Sequence, residues 1–230
     1  MICVICLAPV IPEFNWTYLF SKAPECYLCA GCKEKLAVIK GDTCRICGRS
    51  FQFLESVHVI EGMCYDCQKW EDEEEWKGIL QSNQSLFLYN DFLKETIARF
   101  KYRGDYNIAA AFVSFLPKDF GKNKVVMPIP LSDERLYERG FNQVEAVLFY
   151  AKVPYVNGLV RIHSEKQSKK TRKQRLQIGN IFKIEQKEAV IAQDIILVDD
   201  IYTTGATLRN AAKVLKEAGA NSITSFTIAR

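Results

Sequence analysis

The chain has 230 residues, 48% of them hydrophobic and 25% charged, with 31 Lys+Arg against 27 Asp+Glu for a net +4. That composition excludes a disordered or fibrous chain and predicts a globular protein of one domain plus a smaller companion. No apolar run approaches the roughly 18 residues of a membrane span, and an N-terminus broken by Pro9 and Pro12 with no basic residue ahead makes a poor signal peptide; a cytoplasmic protein is expected, with the inner face of the cell membrane as an alternative peripheral position.

All nine cysteines lie within residues 1–67. They form four CxxC pairs, Cys3/Cys6, Cys29/Cys32, Cys44/Cys47 and Cys64/Cys67, with Cys26 left over. A CxxC turn presents two thiolates to one ion, and two such turns complete a tetrahedral site, so the pattern predicts zinc. Gaps of 22 residues between Cys6 and Cys29 and 16 between Cys47 and Cys64 suit two successive zinc ribbons, joined across the 11 residues between Cys32 and Cys44. Whether there are two sites or one stays open at this point, as does Cys26 in place of Cys29. Disulfides are the competing reading, and pairs recurring four times in a reducing compartment favour metal. Gly48 lets the Cys44-Arg-Ile-Cys47 knuckle fold back under an ion. Phe14, Trp16, Tyr18, Leu19 and Phe20 offer only a modest apolar cluster, so metal binding is expected to supply much of the folding energy here.

The charge changes where the cysteines stop. Residues 1–76 carry 7 Lys+Arg against 12 Asp+Glu, net −5, whereas residues 77–230 carry 24 against 15, net +9. We therefore expect a zinc-ribbon domain over residues 1–72 and a second domain over 73–230, with the acidic stretch Trp70–Trp76 as a solvated linker. In the second domain a strand is predicted near Leu86–Tyr89, then helices over Asp91–Tyr102 and near Ile108–Leu116. A buried strand at Val125–Ile129 and a helix at Val144–Lys152 follow. Arg161–Lys183 holds eight Lys/Arg and one Glu. It reads as a solvated loop or as a phosphate-tracking patch for nucleic acid. Single-strand binding also needs aromatic platforms, for which Phe100, Tyr102, Tyr106 and Phe141 are candidates, with core packing as their alternative. His58 and His163 stand apart from any nucleophile-like pattern and receive no catalytic role.

The most informative stretch runs from Ile195 to Thr207. Ile195–Val198 is a buried parallel strand by pattern, Asp199 and Asp200 follow at its end, and a small-residue loop leads into a helix over Thr207–Ala218. That helix places Leu208, Ala211, Ala212, Leu215 and Ala218 on one face and stops at Gly219, before a last strand at Ile223–Ala229. Ligands of open parallel sheets bind beyond the carboxyl ends of strands. There the N–H groups and hydroxyls of Thr203, Thr204, Gly205, Ala206 and Thr207 suit a phosphate. Asp199 and Asp200 are acceptors suited to two vicinal ribose hydroxyls. Strands alternating with helices predict a parallel α/β sheet with helices on both faces.

This segment resembles the signature by which type I phosphoribosyltransferases bind 5-phosphoribosyl-1-diphosphate (PRPP). Together with Pro128-Ile-Pro130, Arg135, Arg139-Gly-Phe-Asn-Gln143, Phe100–Asp105 and Glu165–Ser168, it makes nearly the whole chain resemble the ComF family of competence proteins. Members of that family join a cysteine-rich zinc module to a type I phosphoribosyltransferase-like domain. The resemblance implies PRPP as ligand, with Mg²⁺ held mainly by the ligand's own oxygens. It also implies that the pyrophosphate lies by the Pro128–Leu131 turn within reach of Arg135 and Arg139, whose planar forks suit phosphate. A flap over PRPP would include Gln167, Arg172 and Arg175.

By that resemblance the protein serves DNA uptake in natural transformation, handling incoming single-stranded DNA in the cytoplasm alongside a competence helicase and other competence proteins. A salvage or biosynthetic phosphoribosyltransferase releasing pyrophosphate is the second reading. A non-enzymatic adaptor whose zinc ribbons recruit the helicase is the third.

Overall fold

The computed structural model describes residues 1–10, 26–54, 58–162 and 181–230. The expectations placed on Phe14, Trp16, Tyr18, Leu19, Phe20, His163, Glu165–Ser168, Arg172 and Arg175 lie outside these residues.

Two copies of one design occupy the N-terminal part. In the first, Leu7 N–H donates to Cys3 O and Cys3 N–H to Ala8 O, each at 2.9 Å; in the second, Gly48 N–H donates to Cys44 O (2.9 Å) and Cys44 N–H to Arg49 O (2.8 Å). The residue closing each knuckle is left-handed, Leu7 at φ 63° and Gly48 at φ 68°. The second is glycine for a further reason, because a Cβ there would meet Asn83 O at 2.8 Å. Each knuckle faces the start of a helix that carries the other cysteine pair. α1 (Ala30–Lys35) begins directly after Cys29. α2 (Tyr65–Asp72) begins directly after Cys64, at the end of a small antiparallel pair, β1 (Val59–Ile60) and β2 (Met63–Cys64).

The rest alternates strand and helix: β3 (Ser82–Phe87), α3 (Asp91–Tyr102), α4 (Ala109–Val113), β4 (Val125–Pro128), α5 (Asp133–Arg139) and α6 (Gln143–Tyr150). A two-stranded ribbon follows, β5 (Leu159–Arg161) and β6 (Phe182–Ile184), then β7 (Asp194–Ile201), α7 (Ala206–Glu217) and β8 (Ser222–Ala229). The main sheet is parallel, in the order β3-β8-β7-β4. This is the expected α/β architecture, preceded by the cysteine-rich segment.

Several elements depart from the sequence reading, among them the β5–β6 ribbon at the ends of the basic run, and three do so for a visible reason. β3 starts at Ser82 although its first four residues are polar, because they bond across the sheet. Asn83 Oδ1 accepts from Ser225 Oγ (2.8 Å), and its amide donates to Ser85 Oγ (2.8 Å) and Cys47 O (3.1 Å). β7 does not end at Val198 but carries Asp199 and Asp200 inside it, since Asp199 pairs with Thr227 and Ile201 with Ala229 of β8. α5 buries no residue and has no apolar period to betray it; the Ser132 cap at its start and left-handed Gly140 (φ 76°) at its end define it.

The cysteine-rich copies cover the open edge of β3. Val38 bridges to Phe87, Leu88 N–H donates to Ala37 O (2.8 Å), and Asn83 N–H donates to Ile46 O (2.6 Å). Both hydrophobic clusters cross the compositional boundary. One joins Leu28, Cys32 and Leu36 to Phe87, Phe100 and Phe112; the other joins all of Cys44, Cys47, Cys64 and Cys67 to Met127, Ile195, Leu197 and Leu208.

The acidic stretch Trp70–Trp76 is not the solvated linker expected from its charge. Its two tryptophan rings meet edge-on at 5.2 Å, Glu71 approaches Arg209 of α7 at 3.7 Å, and Glu75 pairs with Lys213. Glu71 and Glu75 find counter-charges on α7, while Asp72, Glu73 and Glu74 stay exposed. No helix of the described residues is long and apolar enough to cross a membrane.

Candidate functional site

At the carboxyl end of β7 the chain turns through Tyr202, Thr203, Thr204 and Gly205 into α7. Ala206 and Thr207 thus belong to the first turn of the helix rather than to the loop. Gly205 caps α7 in the left-handed region (φ 80°), and a Cβ there would lie 2.2 Å from the Tyr202 hydroxyl oxygen and 2.7 Å from Arg209 Nη1. Only glycine fits. Thr204 Oγ1 accepts from Ala206 N–H at 3.4 Å, while Thr203 and Thr204 are open to solvent.

Asp199 and Asp200 stand side by side, half-buried. Asp200 N–H donates to Asp199 Oδ1 (2.9 Å), and Lys101 Nζ of α3 reaches Asp200 Oδ2 at 2.6 Å. Burial and then the charge of Asp200 push the Asp199 carboxyl up to about 7, against the pull of the Asp200 N–H, Lys101 and Arg161. Arg161, the last residue of β5, is itself lowered, first by burial and then by the like charge of Arg135, with Asp199 opposing. Arg161 and Lys101 therefore act on the carboxylate pair, and Arg135 is within electrostatic reach of Arg161. Arg139 has other partners: it donates to Gln143 Oε1 (3.0 Å) and sits 5.7 Å over the Tyr102 ring. The result is a cleft in which two acceptors lie among cations beside a helix start.

Sequence reasoning missed Lys101 and Arg161. The first lies in the Phe100–Asp105 stretch, and the second opens the basic run, but nothing local ties either to Asp199. It also missed Trp70, Arg209 and Arg230, which grip the loop from behind. Of the candidate aromatic platforms, Phe100 is buried and Phe141 packs on it at 5.5 Å, whereas Tyr102 is 74% exposed and Tyr106 is partly so.

The eight paired cysteines come together as two sets of four, Cys3/Cys6/Cys29/Cys32 and Cys44/Cys47/Cys64/Cys67, with their sulfurs within 4.8 Å of one another in each. Cys6 and Cys29, and likewise Cys47 and Cys64, are 3.6 Å apart. A tetrahedral zinc with thiolates at about 2.3 Å separates its sulfurs by about 3.8 Å, so both sets fit that ion. None of the nine cysteines is disulfide-bonded. Cys29, not Cys26, completes the first set; Cys26 is exposed and donates to Leu28 O. The second set is fully buried, and its thiols polarise one another. Hydrogen bonds from Cys47, Cys64 and Cys67 hold Cys44 far below the thiol range, while those with Cys44, Cys47 and Cys64 push Cys67 far above it. Such a donor set is built to take a cation.

The model of the phosphoribosyl transferase domain matches residues 115–230. The chain is 41% identical to Competence protein ComFC of Bacillus subtilis (strain 168) over its whole length and 95% of that protein. It is 32% identical to Competence protein ComFC of Streptococcus pneumoniae (strain ATCC BAA-255 / R6), with all of both chains covered. Among solved structures it is similar, at 18% identity and a TM-score of 0.36, to a glutamine phosphoribosylpyrophosphate amidotransferase from B. subtilis, covering 55% of this chain and 26% of that one. With cysteine pairs gathered in fours ahead of a phosphoribosyltransferase-like sheet, and matched from end to end, the chain belongs to the ComF family of competence proteins.

Proposed function

We propose that this protein serves DNA uptake in natural transformation, acting on incoming single-stranded DNA in the cytoplasm with a sheet-end site that takes PRPP. The observation that carries the ligand is the meeting of Asp199 and Asp200 with Lys101 and Arg161 beside the Thr203–Thr207 turn. The two aspartates accept hydrogen bonds from the ribose hydroxyls, and the N–H groups and hydroxyls of Thr203, Thr204, Gly205, Ala206 and Thr207 hold the 5-phosphate. Arg135 and Arg139 serve the pyrophosphate, the latter after releasing Gln143. Mg²⁺ accompanies the ligand, held mainly by its oxygens. Zinc at the eight paired cysteines is structural and holds each knuckle on its helix; this module is also the surface on which a competence helicase would dock.

Calorimetric titration of the zinc-loaded protein with Mg²⁺-PRPP tests the ligand. Binding is expected, and the double variant Asp199→Ala/Asp200→Ala should abolish it while circular dichroism stays unchanged. Equal affinity in that variant would locate the site elsewhere. For DNA, retention of a labelled single strand should fall steeply with salt, as counterion release dictates. No salt-sensitive retention at low ionic strength would leave the helicase route alone. The phosphoribosyl transferase match supports a second reading, a salvage or biosynthetic enzyme in which a base nitrogen attacks C1 as pyrophosphate leaves. Pyrophosphate release with any nucleobase would favour it.

A further inference from the structure

The back of the ribose-phosphate turn is fastened to the second cysteine set. Three consecutive carbonyls are tied. Arg230 Nη1 donates to Tyr202 O (3.1 Å) and Thr203 O (2.8 Å), and Trp70 Nε1 donates to Thr204 O (3.2 Å). Both donors belong to the cysteine set as well. Arg230 Nη2 donates to Cys47 Sγ at 3.0 Å, and Trp70 lies on α2, three residues after Cys67 on the helix that Cys64 caps. A third strut runs beside them. Arg209 is wholly buried, lies 5.0 Å over the Trp70 ring, and donates to the Tyr202 hydroxyl at 2.6 Å. Its Nη2 stands only loosely, at 3.7 Å, from Glu71 of the same helix.

Peptide planarity turns these contacts into a functional statement. In a trans peptide the N–H points away from the carbonyl of the preceding residue. With the Tyr202, Thr203 and Thr204 carbonyls drawn toward Arg230 and Trp70, the N–H groups of Thr203, Thr204 and Gly205 face the other way. Successive N–H groups turned to one side form an anion-binding concavity. The orientation of the donors is thus set from the metal side of the molecule.

The geometry points to Arg230 and Trp70 as positioning residues that couple the Cys44/Cys47/Cys64/Cys67 site to the ribose-phosphate turn, so that zinc there and PRPP on the turn each strengthen the other's binding. This rests on the ligand reading above. The first cysteine set makes no such contact with the turn among the described residues, so one of the two zincs responds and the other does not. Coupling of binding is reciprocal, so the factor by which zinc tightens PRPP equals the factor by which PRPP tightens zinc.

The test uses full-length, zinc-loaded protein and two conservative variants. Trp70→Phe keeps the ring over Arg209 but removes the donor to Thr204. Arg230→Lys keeps a charge beside Cys47 but cannot span the sulfur and both carbonyls. Zinc affinity is measured by competition with a chelator selective for zinc over magnesium, with and without saturating Mg²⁺-PRPP, and PRPP affinity by calorimetry. In wild type, PRPP should tighten one zinc of two by about five-fold or more. Each variant should bind PRPP about 5–10-fold more weakly, with an unchanged circular dichroism spectrum, and lose most of the coupling. Simple unfolding on zinc loss would couple the ligands in wild type and variants alike, so the variants separate positioning from stability. If neither variant folds, site-resolved amide exchange of Thr203–Gly205 in wild type, with and without ligand at partial zinc loading, decides. Wild-type affinity and full coupling in the variants, or amides indifferent to zinc, would overturn the inference with the ligand reading intact. Absence of PRPP binding to wild type would overturn both.

Discussion

Asp199 shows how one carboxyl can oppose stability and still be retained. Its folded value of about 7 lies above the ordinary 3.8, so between these values the folded chain holds a proton that the unfolded chain has released. Stability from this group is full below about pH 4 and is lost as pH rises toward 7. Asp199→Asn, a permanent stand-in for the protonated form, should raise stability by roughly 2–4 kcal/mol at pH 8, by less than half of that at pH 5, and change it little near pH 4. Denaturant melts at the three pH values check this, and a gain at pH 5 as large as at pH 8 would refute the burial account. Gly205 carries the opposite constraint. Alanine there would keep a left-handed φ of 80° and press on Tyr202 and Arg209, so Gly205→Ala should cost about 2–4 kcal/mol. The same melts read that loss.

At the scale of elements, the cleft is made by α3 delivering Lys101 to the end of β7. Asn90 caps α3 through Leu93 N–H (2.9 Å), and Leu93, Ile97 and Phe100 bury one face, which fixes where Lys101 emerges. The Lys101–Asp200 pair is only 13% and 15% exposed at its two side chains. Removing the lysine leaves two adjacent carboxylates without their nearest counter-charge. Lys101→Met should therefore destabilise the fold by about 1–3 kcal/mol at pH 8, and the loss should shrink as Asp199 takes up its proton below pH 7. A pH-independent loss would mean that packing of the lysine stem, not charge, is what matters.

For the whole molecule, the two hydrophobic clusters run through the cysteine-rich copies and the sheet together. The net charge shifts from −5 to +9 across a boundary that packing does not respect. Removing metal from the buried Cys44/Cys47/Cys64/Cys67 set should therefore loosen Met127, Ile195 and Leu197 as well as the knuckles. A zinc-selective chelator is expected to lower the midpoint of a single unfolding transition by roughly 5 °C or more, an amount that 2 kcal/mol produces in a chain of this size. Melting of an N-terminal fragment, with the sheet's transition unmoved, would show instead that the two parts fold independently.

Much of this was legible in local pattern. Four CxxC pairs predicted tetrahedral zinc because metal geometry acts through spacing over a few residues, and the structure settled the number of sites at two. The Asp-Asp-turn-helix unit was legible because strand, turn and helix each announce themselves locally, and the span expected for α3, Asp91–Tyr102, is the one observed. Tertiary structure alone decided the rest. β3 hid its polar residues because their partners, Ser225 and Thr227, are about 140 positions away. α5 has no buried face to give it a period. Lys101, Arg161, Trp70, Arg209 and Arg230 join the site only because the parallel register and the docking of α2 on α7 bring distant segments to one sheet end. Charge and hydrogen bonding act through space, and no spacing along the chain encodes such a meeting.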